Sequence, residues 1–261
     1  MNGWGVFSTI RVYDGVMFAW QRHWDRMVRD ARKLRVPMPT RSALEEQLLK
    51  LIAGNNAFDA TLRVCIVRNR GGMFEGPEVK SDFDIVAFTR EVNNWGESVK
   101  LGIVQQARHA ENEFAGTKVL SWAFNLAWYE EAHERGFDEV VLLNERNEVS
   151  ECTSANIFVV HGDRVLTPAL RSSGCLAGIT RDVILNDLPG LQVDERILLV
   201  PDLQNADEIF ITSTTREVLP VSHIDQIGSK AIAGRITNRV REAFRAYTQT
   251  YTELHKGVLR A

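Results

Sequence analysis

The sequence predicts an α+β fold of two lobes, and three features of the chain support that prediction. Both halves mix helical periodicity with short β-rich runs that look like antiparallel rather than parallel strands. A polar, weakly patterned stretch, Ala107–Gly116, lies between the halves and is typical of a linker. The length of 261 residues is sufficient for two hydrophobic cores. We therefore predict a small α/β lobe at residues 1–108, a linker at 109–117 and a larger lobe at 118–261.

The first elements of the small lobe are a strand and a hairpin turn. Val6–Val12 is rich in β-forming residues, and Asp14-Gly15 favours a tight turn that returns through residues 16–20. From His23 onward the apolar residues recur at helical spacing, and Pro37 ends that helix. The remaining predicted elements are a helix over Arg41–Ala53, closed by Gly54, and strands at Thr61–Val67, Asp84–Phe88 and Val99–Gln105.

The larger lobe begins with an apolar helix, Trp122–Glu134, closed by Gly136. The first half of this helix is apolar almost all round, which favours burial between layers. The later helices and strands are short and are separated by turn residues. The predicted strands are Glu139–Leu143, Ala155–Val160, Val165–Leu166, Leu191–Arg196 and Glu208–Thr212, and the predicted helices are Thr180–Leu188 and Lys230–Tyr247.

The composition of the chain excludes several classes of protein. A net charge of -3 with interspersed acids and bases argues against a nucleic-acid partner. No apolar run approaches the roughly 18 residues of a membrane span, and the N-terminus lacks the features of a signal peptide. Three widely spaced cysteines argue against a disulfide framework, and histidines without paired spacing argue against a metal site. We therefore expect a cytoplasmic enzyme that acts on small molecules.

Three short segments together predict an enzyme that uses pyridoxal 5'-phosphate. That chemistry needs an amine for the cofactor aldehyde, an acid for the pyridine nitrogen and donors for the phosphate. Lys118 supplies an amine in a partly apolar setting, and Glu151 precedes the apolar run Ala155–Val160. Gly178-Ile179-Thr180 opens a helix whose first N–H groups favour an anion.

Each segment taken alone also has an ordinary structural interpretation. Most lysines and turn glutamates are solvated, and Thr180 also suits a simple helix cap. Ser213-Thr214-Thr215 fits either a cradle for phosphate or carboxylate or an ordinary Ser/Thr turn. Arg26, on the polar side of its helix, fits either a phosphate clamp or a solvated side chain. Only the combination favours the cofactor.

The ordered set of motifs resembles the class IV, or fold type IV, aminotransferases across essentially the whole chain. That family includes branched-chain and D-amino-acid aminotransferases, (R)-selective amine transaminases and aminodeoxychorismate lyases. Each motif alone is modest, whereas the ordered set is highly specific. The matching motifs are Gly5–Val12, His23-Trp24-Asp25-Arg26, Lys118 with Leu120-Ser121-Trp122, Glu130-Glu131-Ala132, Gly136–Glu139, Ser150–Phe158, Thr167-Pro168, Gly178–Arg181, Ala206–Phe210, Thr212–Thr215 and Pro220-Val221.

The resemblance implies an architecture, a cofactor and a set of residue roles. It implies a small α/β lobe and a larger pseudo-barrel lobe with pyridoxal 5'-phosphate between them, and a homodimer that completes each site. Lys118 would carry the internal aldimine and transfer the proton, and Glu151 would pair with the pyridine nitrogen. The other implied site residues are Arg26, Ile179, Thr180, Ser213 and Thr214 for the phosphate, Leu176 for the ring face, and Phe7 and Thr215 for the substrate side.

Two departures from the family pattern bear on the substrate. The chain begins almost at the motif that opens with Gly5, where family members usually carry a leading strand pair. The family's tyrosine near the lysine is absent, since Trp122 or Ala123 stands nearby, and Phe7 lacks the hydroxyl of a tyrosine. The missing strand pair predicts an open or differently paired edge of the small lobe and a different access for the substrate. The missing tyrosine and the missing hydroxyl at Phe7 predict fewer polar contacts around the substrate.

The resemblance leaves more than one function open. The first is transfer of an amino group between an amino acid (branched-chain, D-amino acid or related amine) and a 2-oxo acid. The second is an aminodeoxychorismate lyase, which eliminates pyruvate to give 4-aminobenzoate. The sequence of Glu151–Asn156 is more typical of the lyase and D-amino-acid branches. No residue, however, is identifiable as one that binds a chorismate-type ring. A catalytically silent relative is a third interpretation, against which the retained Lys118 argues. Candidate carboxylate anchors for either reaction are Arg11, Arg68 and Arg70.

Overall fold

A computed structural model of the protein describes residues 3–70, 79–232 and 234–256. The chain divides into two compact units, the first formed by residues 1–93, 117–122 and 248–261 and the second by residues 94–116 and 123–247. This division differs from the predicted boundaries in where it places residues 94–108, 118–122 and 248–261. Residues 99–108 belong to the second unit because the strand that they form pairs with two strands of that unit.

The first unit is a four-stranded antiparallel sheet on which two helices pack. Its strand order is β2-β1-β3-β4, and its long central strands make the pairs β1–β3 and β3–β4 over eight residues each. The loop predicted at residues 69–72 falls partly outside the described residues. The elements are β1 (Gly5–Tyr13), β2 (Val16–Met17), α1 (Trp20–Leu34), α2 (Arg41–Gly54), β3 (Ala60–Arg68) and β4 (Phe83–Arg90).

Alternation along β1 sends successive side chains to opposite faces of this sheet. Val6, Ile10 and Val12 join the core that α1 and α2 cover, so Ser8 faces the helices and Phe7 faces the other way. The helix α1 forms because its buried residues recur every third or fourth position. It ends at Arg35, whose left-handed backbone (φ 54°) lets its N–H reach back to the last turn.

The predicted hairpin is confirmed, but its second strand is shorter than predicted. Asp14 and Gly15 both have positive φ and connect β1 to β2. The return through residues 16–20 was wrong beyond Met17, because Ala19 adopts a left-handed conformation (φ 52°) and Trp20 begins α1. The local pattern at residues 18–20 fits either a strand or a helix start, and only the backbone turn at Ala19 decides between them.

The second unit is built on a nine-stranded mixed sheet, which confirms the predicted α+β class. Its order is β10-β9-β8-β11-β12-β5-β6-β7, with β13 paired to β12, and three of its pairs are parallel. The last helix of the chain begins in this unit and groups with the first unit from residue 248. The strands are β5 (Val99–Arg108), β6 (Glu139–Asn144), β7 (Val149–Cys152), β8 (Asn156–His161), β9 (Arg164–Pro168), β10 (Val193–Arg196), β11 (Glu208–Ser213), β12 (Glu217–Ile224) and β13 (Gly228–Ser229). The helices are α3 (Ala123–Glu134), α4 (Leu170–Ser173), α5 (Ile179–Asn186), α6 (Val200–Gln204) and α7 (Arg235–His255).

The predicted burial of α3 was wrong. Phe124 is 76% exposed and Leu126 is 49% exposed, whereas Asn125 and Ala132 are the buried residues of this helix. A helix that is apolar all round fits burial between layers, but it fits an apolar protein surface equally well. Among the described residues, no helix combines the length and the apolar character needed to cross a bilayer.

Candidate active site

In the first unit, Lys118 lies in an irregular segment that backbone hydrogen bonds hold against β1. The Lys118 carbonyl accepts the Phe7 N–H at 3.2 Å, and the Leu120 N–H donates to the Gly5 carbonyl at 3.0 Å. The lysine Nζ lies 4.6 Å from the centroid of the Phe7 ring and 5.6 Å from that of Trp122. The structure therefore brings the predicted Lys118 and Phe7 together and adds Trp122 as a second ring beside the amine.

Sequence reasoning missed Arg63, whose guanidinium lies against the same two rings as Lys118. Its Cζ is 4.1 Å from the centroid of Phe7 and 6.0 Å from that of Trp122. A guanidinium and an ammonium beside a pair of aromatic rings favour a substrate that carries a carboxylate. The signal in the sequence was the alternation of β3, since Arg63 follows the core residue Leu62 and so projects from the open face of the sheet.

The three arginines that sequence reasoning had offered as carboxylate anchors bind other parts of the protein. Arg11 is 8% exposed, and its guanidinium also donates to the Ala60 carbonyl at 3.1 Å. Each of the three donates guanidinium N–H groups to a carboxylate or a carbonyl of the protein, whereas Arg63 lies on the two rings beside Lys118, so Arg63 is the better candidate. The acceptors are Asp59 for Arg11, the carbonyl of Arg35 for Arg68, and the carbonyl of Val79 for Arg70.

Arg26 is buried in the first unit, although the sequence pattern put it on the polar side of α1. It is 6% exposed, and its Nη2 donates to the Ser8 hydroxyl at 2.9 Å. The same hydroxyl lies 2.7 Å from Nδ1 of His23, which is also buried. A guanidinium can only donate, so the Ser8 oxygen accepts from Arg26. The Ser8 O–H therefore donates to Nδ1 of a neutral His23.

Burial explains the charge states of this cluster. Burial lowers the pKa of His23 well below its usual 6.5, and the nearby charges of Arg26 and Lys118 lower it further. Burial also lowers the pKa of Arg26 to about 10, against the opposing effect of Asp30. Arg26 therefore remains a cation at neutral pH, and a buried cation favours an anionic partner such as phosphate.

In the second unit, Glu151 lies in β7 rather than in the turn predicted from sequence. Its side chain is 12% exposed, Oε1 accepts from Nε of Arg108 at 3.1 Å, and Oε2 accepts the Leu176 N–H at 3.0 Å. Sequence reasoning missed Arg108, the last residue of β5. A carboxylate with these two donors still has lone pairs for a further N–H, such as that of a pyridinium ring.

The start of α5 lies next to the Glu151 partner Leu176. Asn156 donates to the Leu176 carbonyl at 2.9 Å, and Gly178 is the N-cap of α5 without a side-chain hydrogen bond. A Cβ on Gly178 would lie 2.0 Å from Oδ1 of Asn156, so only glycine fits here. Ile179 and Thr180 are buried, and no side chain of the N-cap competes with an anion for their amides.

The three predicted hydroxyl residues lie at the end of β11, where Ser213 is the last residue of the strand and Thr214 and Thr215 begin the turn that follows. The Ser213 hydroxyl accepts the Arg216 N–H at 3.2 Å and so closes the turn. Arg216 is buried, donates to the Ser154 hydroxyl at 2.7 Å and lies 3.4 Å from the carboxylate of Glu139. Ser154 belongs to the turn that follows Glu151 and β7. The hydrogen bond from Arg216 to Ser154 therefore connects the turn that carries Thr214 and Thr215 to the turn that follows Glu151 and β7.

Two buried thiols flank Glu151 but are poor nucleophiles. Burial raises the pKa of Cys152 well above its usual value and that of Cys175 to about 12. Both remain protonated at neutral pH, and only a thiolate is a strong nucleophile. Neither thiol is therefore a candidate nucleophile, and Glu151 stays the candidate acid of this unit.

Residues 5–224 match the family described as Amino-transferase class IV. The chain belongs to the class IV aminotransferases. It is 31% identical to the branched-chain-amino-acid aminotransferase of Escherichia coli over 262 residues, which cover 93% of the chain and 83% of that protein. It is 30% identical to the D-alanine aminotransferase of Listeria monocytogenes over 254 residues, which cover 93% of the chain and 86% of that protein. A crystal structure of the Escherichia coli branched-chain enzyme matches at TM-score 0.86 and 27% identity, covering 94% of the chain and 86% of that chain. The predicted family, enzyme class and fold are confirmed.

Class IV aminotransferases use pyridoxal 5'-phosphate. A crystal structure of a branched-chain amino acid aminotransferase, which matches at TM-score 0.85 and 25% identity and covers 96% of the chain and 88% of that chain, was solved with pyridoxamine 5'-phosphate. Each unit, taken by itself, carries groups that suit such a cofactor. The first unit offers an amine beside two aromatic rings and a buried cation, and the second offers a carboxylate and a glycine-started helix.

Proposed function

We propose that the protein transfers amino groups between an amino acid and a 2-oxo acid, with Lys118 as the residue that holds the cofactor. The observation that carries the proposal is the placement of the Lys118 amine beside the rings of Phe7 and Trp122, with Arg63 on the same rings. When bound, pyridoxal 5'-phosphate supplies an electron sink for the α-carbon of the substrate. Lys118 Nζ removes the α-proton of the substrate and returns it to the cofactor carbon that receives the amino group. The aromatic rings keep this amine partly desolvated.

The remaining residues bind and orient the cofactor in this proposal. Glu151 keeps the pyridine nitrogen protonated, and Arg108 holds the carboxylate in place for that contact. The buried cation of Arg26 neutralises the phosphate. The other proposed contacts are Ile179, Thr180, Ser213 and Thr214 with the phosphate, Leu176 with the ring face, and Phe7 and Thr215 with the substrate.

The substrate class follows from the groups beside Lys118. Arg63 suits a carboxylate, and the two rings suit an apolar portion of the same substrate. Relatives at 31% and 30% identity act on branched-chain amino acids and on D-alanine. We therefore propose an α-amino acid as the amino donor. Adding L- and D-amino acids one at a time determines the stereochemistry of that donor.

The decisive experiment follows the absorbance of the lysine-bound cofactor while single amino acids are added. A true donor should remove that absorbance, and a 2-oxo acid should restore it. Lys118→Ala should abolish turnover, whereas Lys50→Ala, at an exposed lysine of α2, should behave as the parent. Parent-like turnover by Lys118→Ala would refute the proposal, and release of pyruvate without an amino acceptor would favour the lyase reaction instead.

We also propose a cytoplasmic homodimer. The exposed side chains of Phe124 and Leu126 form an apolar start to α3 that a second copy of the chain would cover. Cys65, Cys152 and Cys175 are free and buried, which suits a reducing compartment. Sedimentation of the purified enzyme tests the dimer, and fractionation of cells tests the compartment.

A further inference from the structure

Asp30 is a buried carboxylate that contacts the backbone of Lys118. It is 1% exposed and lies in the second half of α1. Its Oδ2 accepts the Lys118 N–H at 3.0 Å, although the two residues are 88 positions apart in the sequence. Its Oδ1 accepts from Nε and Nη2 of Arg29 at 3.1 and 3.0 Å. Burying a carboxylate is costly without such partners, so both of its oxygens are committed to these contacts.

The backbone of Lys118 is thereby fixed from two sides. Its carbonyl accepts the Phe7 N–H from β1, and the following residue, Val119, makes a bridge with Val6. Its N–H is held by Asp30 from α1. Residues 117–122 lie outside the helices and strands, so the segment depends on these outside contacts for its position. With both flanking peptide groups tied, the backbone from which the Lys118 side chain extends has a defined position.

Asp30 also acts electrostatically on Arg26, which lies on the same helix. It follows Arg26 by one helical turn, and its negative charge raises the pKa of Arg26 against the effect of burial. The charge of Asp30 and its hydrogen bond to Lys118 are therefore two separable properties. Asparagine keeps an acceptor oxygen without the charge, whereas alanine removes both.

We propose that Asp30 is a positioning residue for Lys118, whose carboxylate holds the lysine backbone so that Nζ keeps a fixed place against Phe7 and Trp122. The inference rests on the proposed function, in which Lys118 Nζ moves a proton at the substrate. A proton carrier must return to one place in every turnover, and displacements near 1 Å lower rates by about a hundredfold. Asp30 therefore acts on the rate of the reaction more than on substrate affinity.

The kinetic test compares Asp30→Ala and Asp30→Asn with Asp25→Ala. Asp25 is an exposed aspartate of the same helix that accepts from Gln21. Asp30→Ala should lower kcat about a hundredfold, with a smaller change in KM for the amino donor. Asp30→Asn should retain roughly ten times more kcat than Asp30→Ala, because its amide oxygen still accepts the Lys118 N–H. Asp25→Ala should match the parent. If Asp30→Ala does not fold, Asp30→Ser, with its shorter acceptor, takes its place in the comparison.

Hydrogen exchange of the full-length protein, with and without the cofactor, gives a readout that does not depend on activity. Peptides that cover residues 116–122 should exchange roughly tenfold faster in Asp30→Ala than in the parent, and peptides from β3 should not change. Parent-like kcat and exchange, with only a lower melting temperature, would overturn the proposal. An equal loss of kcat in Asp30→Asn and Asp30→Ala would overturn it as well. A wrong role for Lys118 shows separately, since Lys118→Ala would then retain turnover.

Discussion

At Glu151, the two carboxylate oxygens have different donors, and this fixes the plane of the carboxylate. Oε1 accepts from Arg108 and Oε2 from the Leu176 amide. Both partners can only donate, so the side chain must present an acceptor on each side. A glutamine cannot do this, because its NH₂ group would face either the guanidinium or the amide.

We expect Glu151→Gln to lower turnover roughly a hundredfold or more, because removal of one preorganised charge at an active site typically has that effect. Cofactor affinity should fall less than turnover, since the proposed phosphate contacts are unaffected. Steady-state kcat and a cofactor titration measure the two effects. Glu134→Gln, at an exposed glutamate that ends α3, is the matched control and should retain parent kinetics. A parent-like kcat for Glu151→Gln would remove this residue from the mechanism.

His23 should make the stability of the protein depend on pH. Its folded pKa lies well below 6.5, mainly through burial. Below pH 6.5 the unfolded chain therefore binds a proton that the folded protein does not. The contribution is fully present above that pH and is lost as the pH falls toward the folded pKa, by at most about 1.4 kcal/mol per pH unit.

Denaturant unfolding of His23→Asn, measured from about pH 8 to about pH 5, should show a smaller loss of free energy than the parent. Asparagine was chosen because its amide oxygen can replace Nδ1 as the acceptor for Ser8. His133→Asn, at an exposed histidine of α3, should keep the pH dependence of the parent. An equal pH slope in His23→Asn and the parent would show that His23 does not cause it.

The sequence identified chemical groups better than it identified their partners. Lys118 and Glu151 became candidates because they stand within an ordered set of motifs, since neither residue was convincing by itself. Arg63 and Arg108 were missed because their partners are 43 or more residues away and meet them only through strand pairing and tertiary contacts. Asp30 was missed for the same reason, since its partner is 88 positions away. The burial of Arg26 was likewise invisible in a helix that is polar on average.

Among the elements, the start of α5 depends on a residue that has no side chain. Gly178 leaves space for the Asn156 side chain, which holds the Leu176 carbonyl. The sequence predicted this helix start to within one residue, because Gly178 and Thr180 are residue types that favour a helix N-terminus. The strand β7 was missed, because it has only four residues and two of them are the polar Ser150 and Glu151.

We expect Gly178→Ala to weaken cofactor binding and to destabilise the protein by about 1–3 kcal/mol, the typical cost of overpacking. The new Cβ would lie 2.0 Å from Oδ1 of Asn156, so either the helix start shifts or the asparagine loses its contact. Gly54→Ala is the control, since a Cβ there meets no atom within 4 Å. Cofactor titration and denaturant unfolding measure both effects. Identical behaviour of the two variants would show that the packing at Gly178 is not required.

For the whole molecule, the sequence predicted the fold class but not which apolar surfaces are exposed to solvent. Helical and strand periodicities report on which face of an element is apolar, and they gave the α+β class that the structure confirms. They do not report whether that face meets the same chain or a second copy. At α3, the apolar start that looked buried is exposed, with Phe124 76% exposed. We propose that a partner covers Phe124 and Leu126, since exposed apolar patches mark interaction surfaces.

The proposed homodimer gives this surface a test. The parent should sediment as a particle of twice 29.5 kDa. Phe124→Glu should weaken the dimer at least tenfold, because burial of a phenylalanine contributes about 1.5–3 kcal/mol and the new charge opposes burial. Leu254→Glu is the matched control, since Leu254 is an apolar side chain that is 77% exposed on α7. If each site needs a second copy, kcat should fall in Phe124→Glu at low protein concentration and recover at high concentration. A parent that sediments as a monomer, or an equal effect of the two substitutions, would contradict this assignment of the surface.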